Sequence, residues 1–546
     1  MCNVLSIAML ESSLGSDFGL SKQQGFSNTL KYRINVRGPS GLSFNYADAS
    51  ADLFHEACIT WLAKSFSSNE MGLVGMKYSR TGLIEMLNYM DDYEKMGGVT
   101  NGKVNRKQVD RTMLADRFLA LHAVWFPDDV GDDIALPSEL LDSKYDGGAQ
   151  IAIFRSSWND RKALWAGIKA GTNDQTHCHL DLGSFCFDAN GMRFALDLGK
   201  DDYGLWKYHS HLEKSPRWHA YMRSNNWGHN TISVSGNSDG NDTPVKYCIQ
   251  DIFAVAPITG FKSTPMWAHA IVDLTNAYPW HRIHHKNKEV KEAKLLKSTR
   301  FITRGLAIID RSLLLVQDEV TLTDSSNGKF SQETDIIWRM YTQARVDLLS
   351  PTVALLDNQG ERVKVEILSP SGLTFFVSSA DPKVLFPDVK VKQKNDSSDD
   401  DDDEDEDDNN NDKNDKKLQK KLERKRLRRL AKGKTPDNNE KESAAKGGDG
   451  DGDGDGDGDR GKKDSSGGGK VKKIIEQDTN DGVTLLGIEK LDIFKASIFQ
   501  TGKKELSAEF RLSVLFTPIP SDFNESVITY KADSRSSVVI KPLHLW

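Results

Sequence analysis

The sequence predicts an α+β multidomain protein, in which a helical segment is followed by a large antiparallel β-sandwich. Two observations predict this class. Residues 1 to about 145 place apolar side chains at helical spacing, whereas from about 149 onward the chain is made of short runs rich in β-branched and aromatic residues. Gly, Asn and Asp separate these runs, which is typical of a sandwich of many short strands. At 546 residues, the chain is long enough for more than one domain.

The helical part, residues 1–145, shows its periodicity best in 51–66 and 111–126. The stretch "ADLFHEACITWLAKSF" repeats apolar residues close to a 3.6-residue period, and "RTMLADRFLALHAVWF" does the same. Between them, the Gly-rich "YEKMGGVTNGK" is expected to be a loop. The first residues resemble the middle of a helix, so we expect the chain to begin inside a domain.

The β part is predicted in two pieces, 146–391 and 471–546. Its strongest local signal is "FDANGMRFALD", where Asn190-Gly191 separates two alternating runs and predicts a hairpin. Between the two pieces, residues 392–470 contain an acidic run, a Lys/Arg-rich piece and a Gly-Asp repeat. Such a composition cannot bury enough apolar surface to fold, so a disordered low-complexity insertion in a surface loop is expected.

Composition excludes several partners. The net charge of -7 leaves no general basic field for nucleic acid. No apolar run approaches the roughly 20 residues that span a bilayer. The five cysteines form no CxxC pair, so a disulfide framework is not expected.

The stretch "THCHLDLGSF", residues 176–185, is the main candidate site. On a strand, His177, His179 and Asp181 would share one face. Asp197 follows the predicted hairpin and His229 precedes a further strand, so both can lie beside that face. Two imidazoles and a carboxylate suit zinc. The alternatives are an ordinary polar strand face and a cupin-like 2-His-1-carboxylate iron site, although the Glu that a cupin spacing requires is not present.

Several motifs in order give the chain a family resemblance. The segments "THCHLDLGSFCFDANGMRFALDLGKDDYGL" and "RWHAYMRSNNWGHNTISVSG" resemble the heparinase II/III-like polysaccharide lyases, and "GPSGLSFNYADAS" resembles the last part of their helical domain. The resemblance implies an incomplete α/α toroid, here truncated, followed by the antiparallel β-sandwich. It also implies β-elimination of uronic-acid polysaccharides such as heparan sulfate or alginate, with anionic polysaccharide as the partner.

By position, Tyr46 resembles the family's catalytic tyrosine and His177 its catalytic histidine. His179, Asp197 and His229 resemble the ligands of a structural zinc. Alternatively, Tyr46 is a packing residue without a catalytic role. Asp181 would either orient an imidazole or pin a loop, and Cys178 should point into the sandwich and bind nothing.

A second set of residues could contact the substrate. Arginines can bind a carboxylate or sulfate, and aromatic faces suit sugar rings, although tryptophan is more often a core residue. The candidates are Tyr203, Tyr208, Arg217 and Arg223, with Trp206, Trp218 and Trp227 beside them.

The chain departs from the family pattern at its start. Only 45 residues precede Tyr46, so most of the toroid, and the Asn or His that neutralises the substrate carboxylate, are expected to be missing. We therefore expect the chain as given to be weak or inactive, either as a fragment of a longer lyase or as a shortened protein. The alternative function is a non-catalytic, zinc-stabilised β-sandwich that binds anionic carbohydrate, and a cupin-like oxidoreductase is a third hypothesis.

Overall fold

A computed structural model describes most of the candidate site and the strands around it. The described residues belong to one compact unit within Met1–Lys392 and Glu476–Trp546. The predicted insertion at 392–470 lies outside them, so its disorder stays a prediction, as does the domain boundary near 145. The described residues are 2–51, 57–66, 72, 75–76, 80, 99–100, 103–104, 119–126, 141–210, 215–235, 249–278, 299–324, 335–381, 482–488, 498–501 and 505–520.

Among the described residues of the part predicted to be helical, four α-helices occur: α1 (Cys2–Leu14), α2 (Asn28–Asn35), α3 (Ala57–Ser65) and α4 (Leu119–Trp125). They share one hydrophobic cluster because each turns an apolar stripe inward. Both periodic stretches therefore contain the predicted helices. The region expected to be a loop departs from prediction, because β1 (Val99–Thr100) pairs antiparallel with β2 (Lys103–Val104). The Asn-Gly dipeptide between them favours a hairpin turn.

The rest of the described chain is mostly antiparallel sheet. A six-stranded sheet contains β3 (Ser143–Tyr145), β4 (Ala149–Arg155), β5 (Trp165–Thr172), β6 (Phe185–Ala189), β7 (Met192–Ala195) and β9 (Val255–Ala256). A four-stranded sheet, in the order β18-β19-β14-β8, contains β8 (Ile232–Ser235), β14 (Asp335–Thr342), β18 (Phe375–Ser379) and β19 (Thr484–Ile488).

A nine-stranded sheet, in the order β10-β11-β12-β13-β21-β17-β16-β15 with β20 beside β21, covers these two. Its strands are β10 (Ile258–Ser263), β11 (Ala268–Asp273), β12 (Thr299–Ile309), β13 (Leu313–Asp324), β15 (Arg345–Ser350), β16 (Val353–Asn358), β17 (Glu361–Ser369), β20 (Ile498–Thr501) and β21 (Glu505–Ile519). All three sheets contribute to a single core, which confirms a β-rich architecture in this part of the chain.

The predicted hairpin is confirmed as β6–β7. Asn190 and Gly191 have φ of 52° and 80°, as the central residues of a primed two-residue turn require. The hairpin brings the residues after β7, including Asp197, back toward the β5–β6 connection.

The nine-stranded sheet also contacts the loops that carry the candidate site residues. Arg304 on β12 is fully buried and pairs with Asp318 on β13 through contacts of 2.6 and 2.9 Å. Its remaining donors reach the carbonyl oxygens of Gly183 at 2.9 Å and Asn230 at 2.7 Å. Two loops that carry site residues are thereby fixed to one buried guanidinium group.

The stretch "THCHLDLGSF" is not a strand, which corrects the sequence prediction. Residues 173–184 connect β5 to β6 through turns and bends, and His177 has a φ of 61°. Strand alternation therefore does not set the direction of its side chains. Among the described residues, no helix is long and apolar enough to cross a membrane.

Candidate active site

Two loops meet to form the site, and each carries a non-glycine residue in the left-handed region. The α2–α3 connection contains Ala47 with φ 56°, and the β5–β6 connection contains His177 with φ 61°. They are joined directly, because the amide of Asp48 donates to the carbonyl of His177 at 3.2 Å and the amide of Ala47 to Asp181 Oδ2 at 2.9 Å. Strained backbone of this kind persists where surrounding contacts hold it, and it is concentrated at functional sites.

The centre of the site is Asp48, a carboxylate that the sequence reasoning missed. Its Oδ2 lies 2.7 Å from His177 Nδ1 and accepts from the Tyr203 hydroxyl at 2.9 Å. Its Oδ1 lies 2.8 Å from His179 Nε2 and accepts from the Tyr208 hydroxyl at 2.9 Å. Burial alone would raise the pKa of Asp48, but the hydrogen bonds from His179, His177 and Tyr208 outweigh it and hold the pKa well below its usual value.

His177 is the exposed member of the pair of histidines. Its side chain is 55% exposed, although the Asp48 side chain to which it is bound is only 6% exposed. The Nδ1 atom faces the buried Asp48, so the exposed part of the ring is the side that carries Nε2, which makes no hydrogen bond within the described part of the chain. An imidazole held by a buried carboxylate, with its other nitrogen accessible, is suited to proton transfer.

Tyr203 lies beside His177 and is the exposed tyrosine of this cluster. Its hydroxyl oxygen is 3.3 Å from His177 Nδ1, and the residue is 36% exposed. Burial and the neighbouring Asp48 raise the pKa of Tyr203 to about 12, so the phenol keeps its proton at neutral pH. The Lys200 ammonium lies 3.7 Å from the centre of the Tyr203 ring and places a positive charge at this edge.

Tyr46, the tyrosine that the family resemblance indicated, faces other groups. Its hydroxyl lies 2.7 Å from that of Tyr32, and its ring packs edge-on against Phe44 at a centroid distance of 5.4 Å. Burial, followed by the influence of Tyr32 and Asp181, raises the pKa of Tyr46 well above its usual value. The structure does not pair this phenol with His177.

The predicted zinc ligands lie together in the buried half of the site. The rings of His179 and His229 are 5.3 Å apart, and Asp197 Oδ2 is 2.6 Å from His229 Nδ1. His179 Nδ1 and His229 Nε2 are buried and have no hydrogen-bond partner in the described chain. Burial lowers the pKa of His179, whereas at His229 the Asp197 carboxylate outweighs burial and raises it.

The donor types fit zinc, since two imidazoles and one carboxylate with buried, unused lone pairs are its usual ligands. Their arrangement is less favourable. Within the described ranges, no three His, Cys, Asp or Glu side chains are placed so that they could hold a metal ion. The two imidazoles and the carboxylate are neighbours without converging on one point.

Asp181 behaves as a residue that pins a loop. It is fully buried and forms an ion pair with the buried Lys169, while its other oxygen accepts from the Ala47 amide. Burial disfavours its charge, but Lys169 and the nearby histidines lower its pKa overall. Cys178 is a free thiol, buried in a small apolar cluster with Leu180, Trp218 and Ile252 that is separate from the sandwich core.

Two of the predicted substrate-binding residues, Tyr208 and Arg217, are each only 1% exposed. Arg217 donates to the carbonyls of Cys178 at 2.6 Å and Tyr208 at 3.1 Å, and lies 3.7 Å from Asp48. Both residues therefore contact Asp48 from the buried side of the site and have little surface to offer a substrate. Arg223, whose side chain is 14% exposed, donates to the Lys200 carbonyl at 2.9 Å.

The three tryptophans near the site also differ in their exposure. Trp218 and Trp227 are 1% and 6% exposed and belong to the interior, in line with the core alternative. Trp206 is partly exposed, and the Lys207 ammonium lies 4.8 Å from its ring centre. Of the three, Trp206 is therefore the most exposed.

Comparisons with known proteins were made at three levels. No protein-family profile and no curated protein matches the sequence. Among solved structures, the heparan sulfate lyase HepC from Pedobacter heparinus aligns at 10% identity and a TM-score of 0.43, over 95% of this chain and 51% of that chain. A heparinase III aligns at 10% identity and a TM-score of 0.39, over 92% and 49%. Another aligns at 9% and 0.37, over 94% and 60%.

The chain thus spans 49 to 60% of the length of these solved structures. At such identities and TM-scores, the likeness does not establish the activity of this chain.

Proposed function

We propose that the chain is a polysaccharide lyase that cleaves uronic-acid-containing polysaccharide by β-elimination. The observation that supports this most is the dyad of exposed His177 and buried Asp48, with the Tyr203 phenol 3.3 Å from the imidazole. The ordered motifs around "THCHLDLGSF" support it independently. β-Elimination requires a base, an acid and a positive charge near the substrate carboxylate, and the site contains all three group types.

In the proposed mechanism, the outward Nε2 of His177 removes the proton at C5 of a uronate. The electron pair forms the C4–C5 double bond, the bond from C4 to the glycosidic oxygen breaks, and the leaving oxygen takes the phenolic proton of Tyr203. Lys200 lies at the same edge and would stabilise the enolate-like charge on the carboxylate. The imidazolium and phenolate then return to their starting states by proton exchange with water.

Two tyrosines compete for the acid role. The family resemblance indicates Tyr46, whereas the contact with His177 favours Tyr203. Because the hydroxyl of Tyr46 is engaged with Tyr32, we assign the acid role to Tyr203 and a packing role to Tyr46.

We also propose that His179, Asp197 and His229 hold a structural zinc ion, because their donor types suit zinc although the three side chains do not converge on one point in this structure. When bound, zinc would contribute to folding stability rather than to proton transfer. Metal analysis of the purified protein tests this, with His177→Ala as the matched control for His179→Ala. Loss of zinc from the His179 variant alone is expected, and equal zinc content in the two variants would contradict the ligand assignment.

The alternative function, a carbohydrate-binding protein without catalysis, has one observation in its favour. The tyrosine that resembles the catalytic one is packed against Tyr32 and Phe44, as a structural residue would be. This alternative predicts binding of anionic glycans without any product.

Digestion of a panel of heparan sulfate, heparin, alginate and neutral dextran tests the proposal. Unsaturated uronate ends absorb in the ultraviolet, so a rise with an anionic glycan and none with dextran is expected, and the rise is expected to be weak if the group that neutralises the substrate carboxylate is missing. His177→Gln should remove the rise, by about 10²- to 10⁴-fold in rate. Binding without any rise, in wild type and variant alike, would contradict the lyase and favour the alternative.

A further inference from the structure

The two carboxylate oxygens of Asp48 bind two different histidines, His177 and His179, which are two residues apart in the sequence. Oδ2 contacts His177 Nδ1 at 2.7 Å and the Tyr203 hydroxyl at 2.9 Å. Oδ1 contacts His179 Nε2 at 2.8 Å and the Tyr208 hydroxyl at 2.9 Å. Each oxygen therefore receives one imidazole nitrogen and one phenol.

An ionised carboxylate can only accept hydrogen bonds. The nitrogens that face Asp48 must therefore carry hydrogen, and in a neutral imidazole the other nitrogen is then an acceptor. His177 meets Asp48 through Nδ1, whereas His179 meets it through Nε2. One carboxylate thus imposes opposite tautomers on the two rings.

The two tautomers suit two different tasks. At His177, whose side chain is 55% exposed, the free lone pair is on Nε2 and faces outward. At His179, whose side chain is fully buried, the free lone pair is on Nδ1, the atom that has no hydrogen-bond partner in the described chain. The outer ring is prepared to accept a proton, and the inner ring presents its lone pair to the interior beside His229.

We propose that Asp48 is a positioning residue that sets the Nδ1–H tautomer of His177 and the Nε2–H tautomer of His179, so that one carboxylate defines both the outer and the inner half of the site. The role of His177 as base rests on the proposed function, whereas the tautomers do not. Tyr203, Tyr208 and Arg217 act on Asp48 itself, because their donors fix the orientation of the carboxylate.

Substitution Asp48→Asn gives a sharp test, because the side chain keeps its shape. An amide accepts at its oxygen but donates at its nitrogen, so it cannot accept from both imidazoles. At least one histidine must then reverse its tautomer. The control is Asp188→Asn, since Asp188 is a buried carboxylate that also joins the α2–α3 connection to the β part, but within the described part of the chain it contacts no histidine.

The measurement is nitrogen NMR of histidine-labelled protein at a single neutral pH, in which protonated and unprotonated ring nitrogens have distinct shifts. His177→Gln and His179→Gln assign the signals. Wild type should show Nδ1–H at His177 and Nε2–H at His179, Asp188→Asn should show the same, and Asp48→Asn should reverse at least one ring. The opposite tautomer in wild type, or no change in Asp48→Asn, would overturn the proposal.

This spectrum is independent of turnover, so it separates the proposal from the proposed function. If wild type is a lyase, Asp48→Asn should lower kcat on the order of 10²- to 10⁴-fold with little change in KM. If wild type shows the expected tautomers but no product, the lyase fails and the positioning role stands. If Asp48→Asn does not fold, the wild-type spectrum alone decides.

Discussion

Asp188 and Asp48 are two of the carboxylates that attach the α2–α3 connection to the β part of the chain, and they do so with different partners. Asp188 on β6 is fully buried, pairs with Arg193, and accepts from the Ser40 hydroxyl at 2.5 Å and the Ser40 amide at 3.2 Å. Asp48 reaches the other way, from the connection to His177, His179 and two tyrosines.

The two carboxylates differ in whether their hydrogen-bond partners can exchange a proton near neutral pH. Arg193 keeps its charge at every accessible pH, and its remaining donors reach the carbonyls of Ser43 at 3.1 Å and Leu42 at 3.2 Å. The hydrogen-bond partners of Asp188 among the described residues, Arg193 and Ser40, do not exchange a proton near neutral pH. Asp48 is instead surrounded by imidazoles and phenols, and one side of that group is exposed. The first carboxylate is a structural clamp, and the second has the surroundings of a proton-transfer site.

The largest effect expected from this comparison is on stability, at Asp188. Asp188→Ala leaves the buried Arg193 without its counter-charge, which should lower the free energy of unfolding by about 3–5 kcal/mol. Denaturant unfolding measures this. Asp48→Asn should be much less destabilising, because it keeps the shape of the side chain and the nearest charged partner, Arg217, is 3.7 Å away and retains its bonds to backbone carbonyls. A larger loss there than at Asp188 would contradict the comparison.

The next effect separates the two tyrosines. Tyr203→Phe should lower kcat about 10²-fold while leaving the unfolding curve in place, because the phenol is the proposed acid. Tyr46→Phe loses the hydrogen bond to Tyr32 and should cost about 1 kcal/mol of stability with little change in kcat. Steady-state rates and unfolding of both variants decide the matter, and the reverse pattern would return the acid role to Tyr46.

The smallest effect concerns Lys200, at the exposed edge. Lys200→Gln should weaken binding of anionic glycan about tenfold, and the loss should shrink as salt rises because the charge is exposed. Lys162→Gln, at an exposed ion pair with Glu361, is the control and should change nothing. Glycan binding is titrated at several salt concentrations. If Lys200→Gln and Lys162→Gln weaken binding equally, Lys200 does not contact the glycan.

The sequence predicted the features that local patterns encode. The helices at 57–65 and 119–125, the Asn190-Gly191 turn and the many short antiparallel strands follow from periodicity and turn chemistry. His179, Asp197 and His229 do lie close together, but the strand pairing from which this was predicted is absent, because residues 173–184 form a loop.

The centre of the site could not be predicted in this way. Asp48 is 129 residues from His177, and a single aspartate in a loop has no periodicity that would mark it. The strand expected at "THCHLDLGSF" is missing because Asp48 and Arg217 bind its backbone and side chains, and these tertiary contacts override the local preference. The burial of Tyr208 and Arg217 likewise depends on how the loops fold over each other.

The most direct test of the central claim is a double-mutant cycle on kcat/KM with Asp48→Asn and His177→Gln. If Asp48 acts through His177, Asp48→Asn should lower kcat/KM strongly in the wild type and have almost no further effect once His177 is replaced. Losses that simply multiply in the double variant would contradict the account, because they would mean that the carboxylate and the imidazole contribute independently.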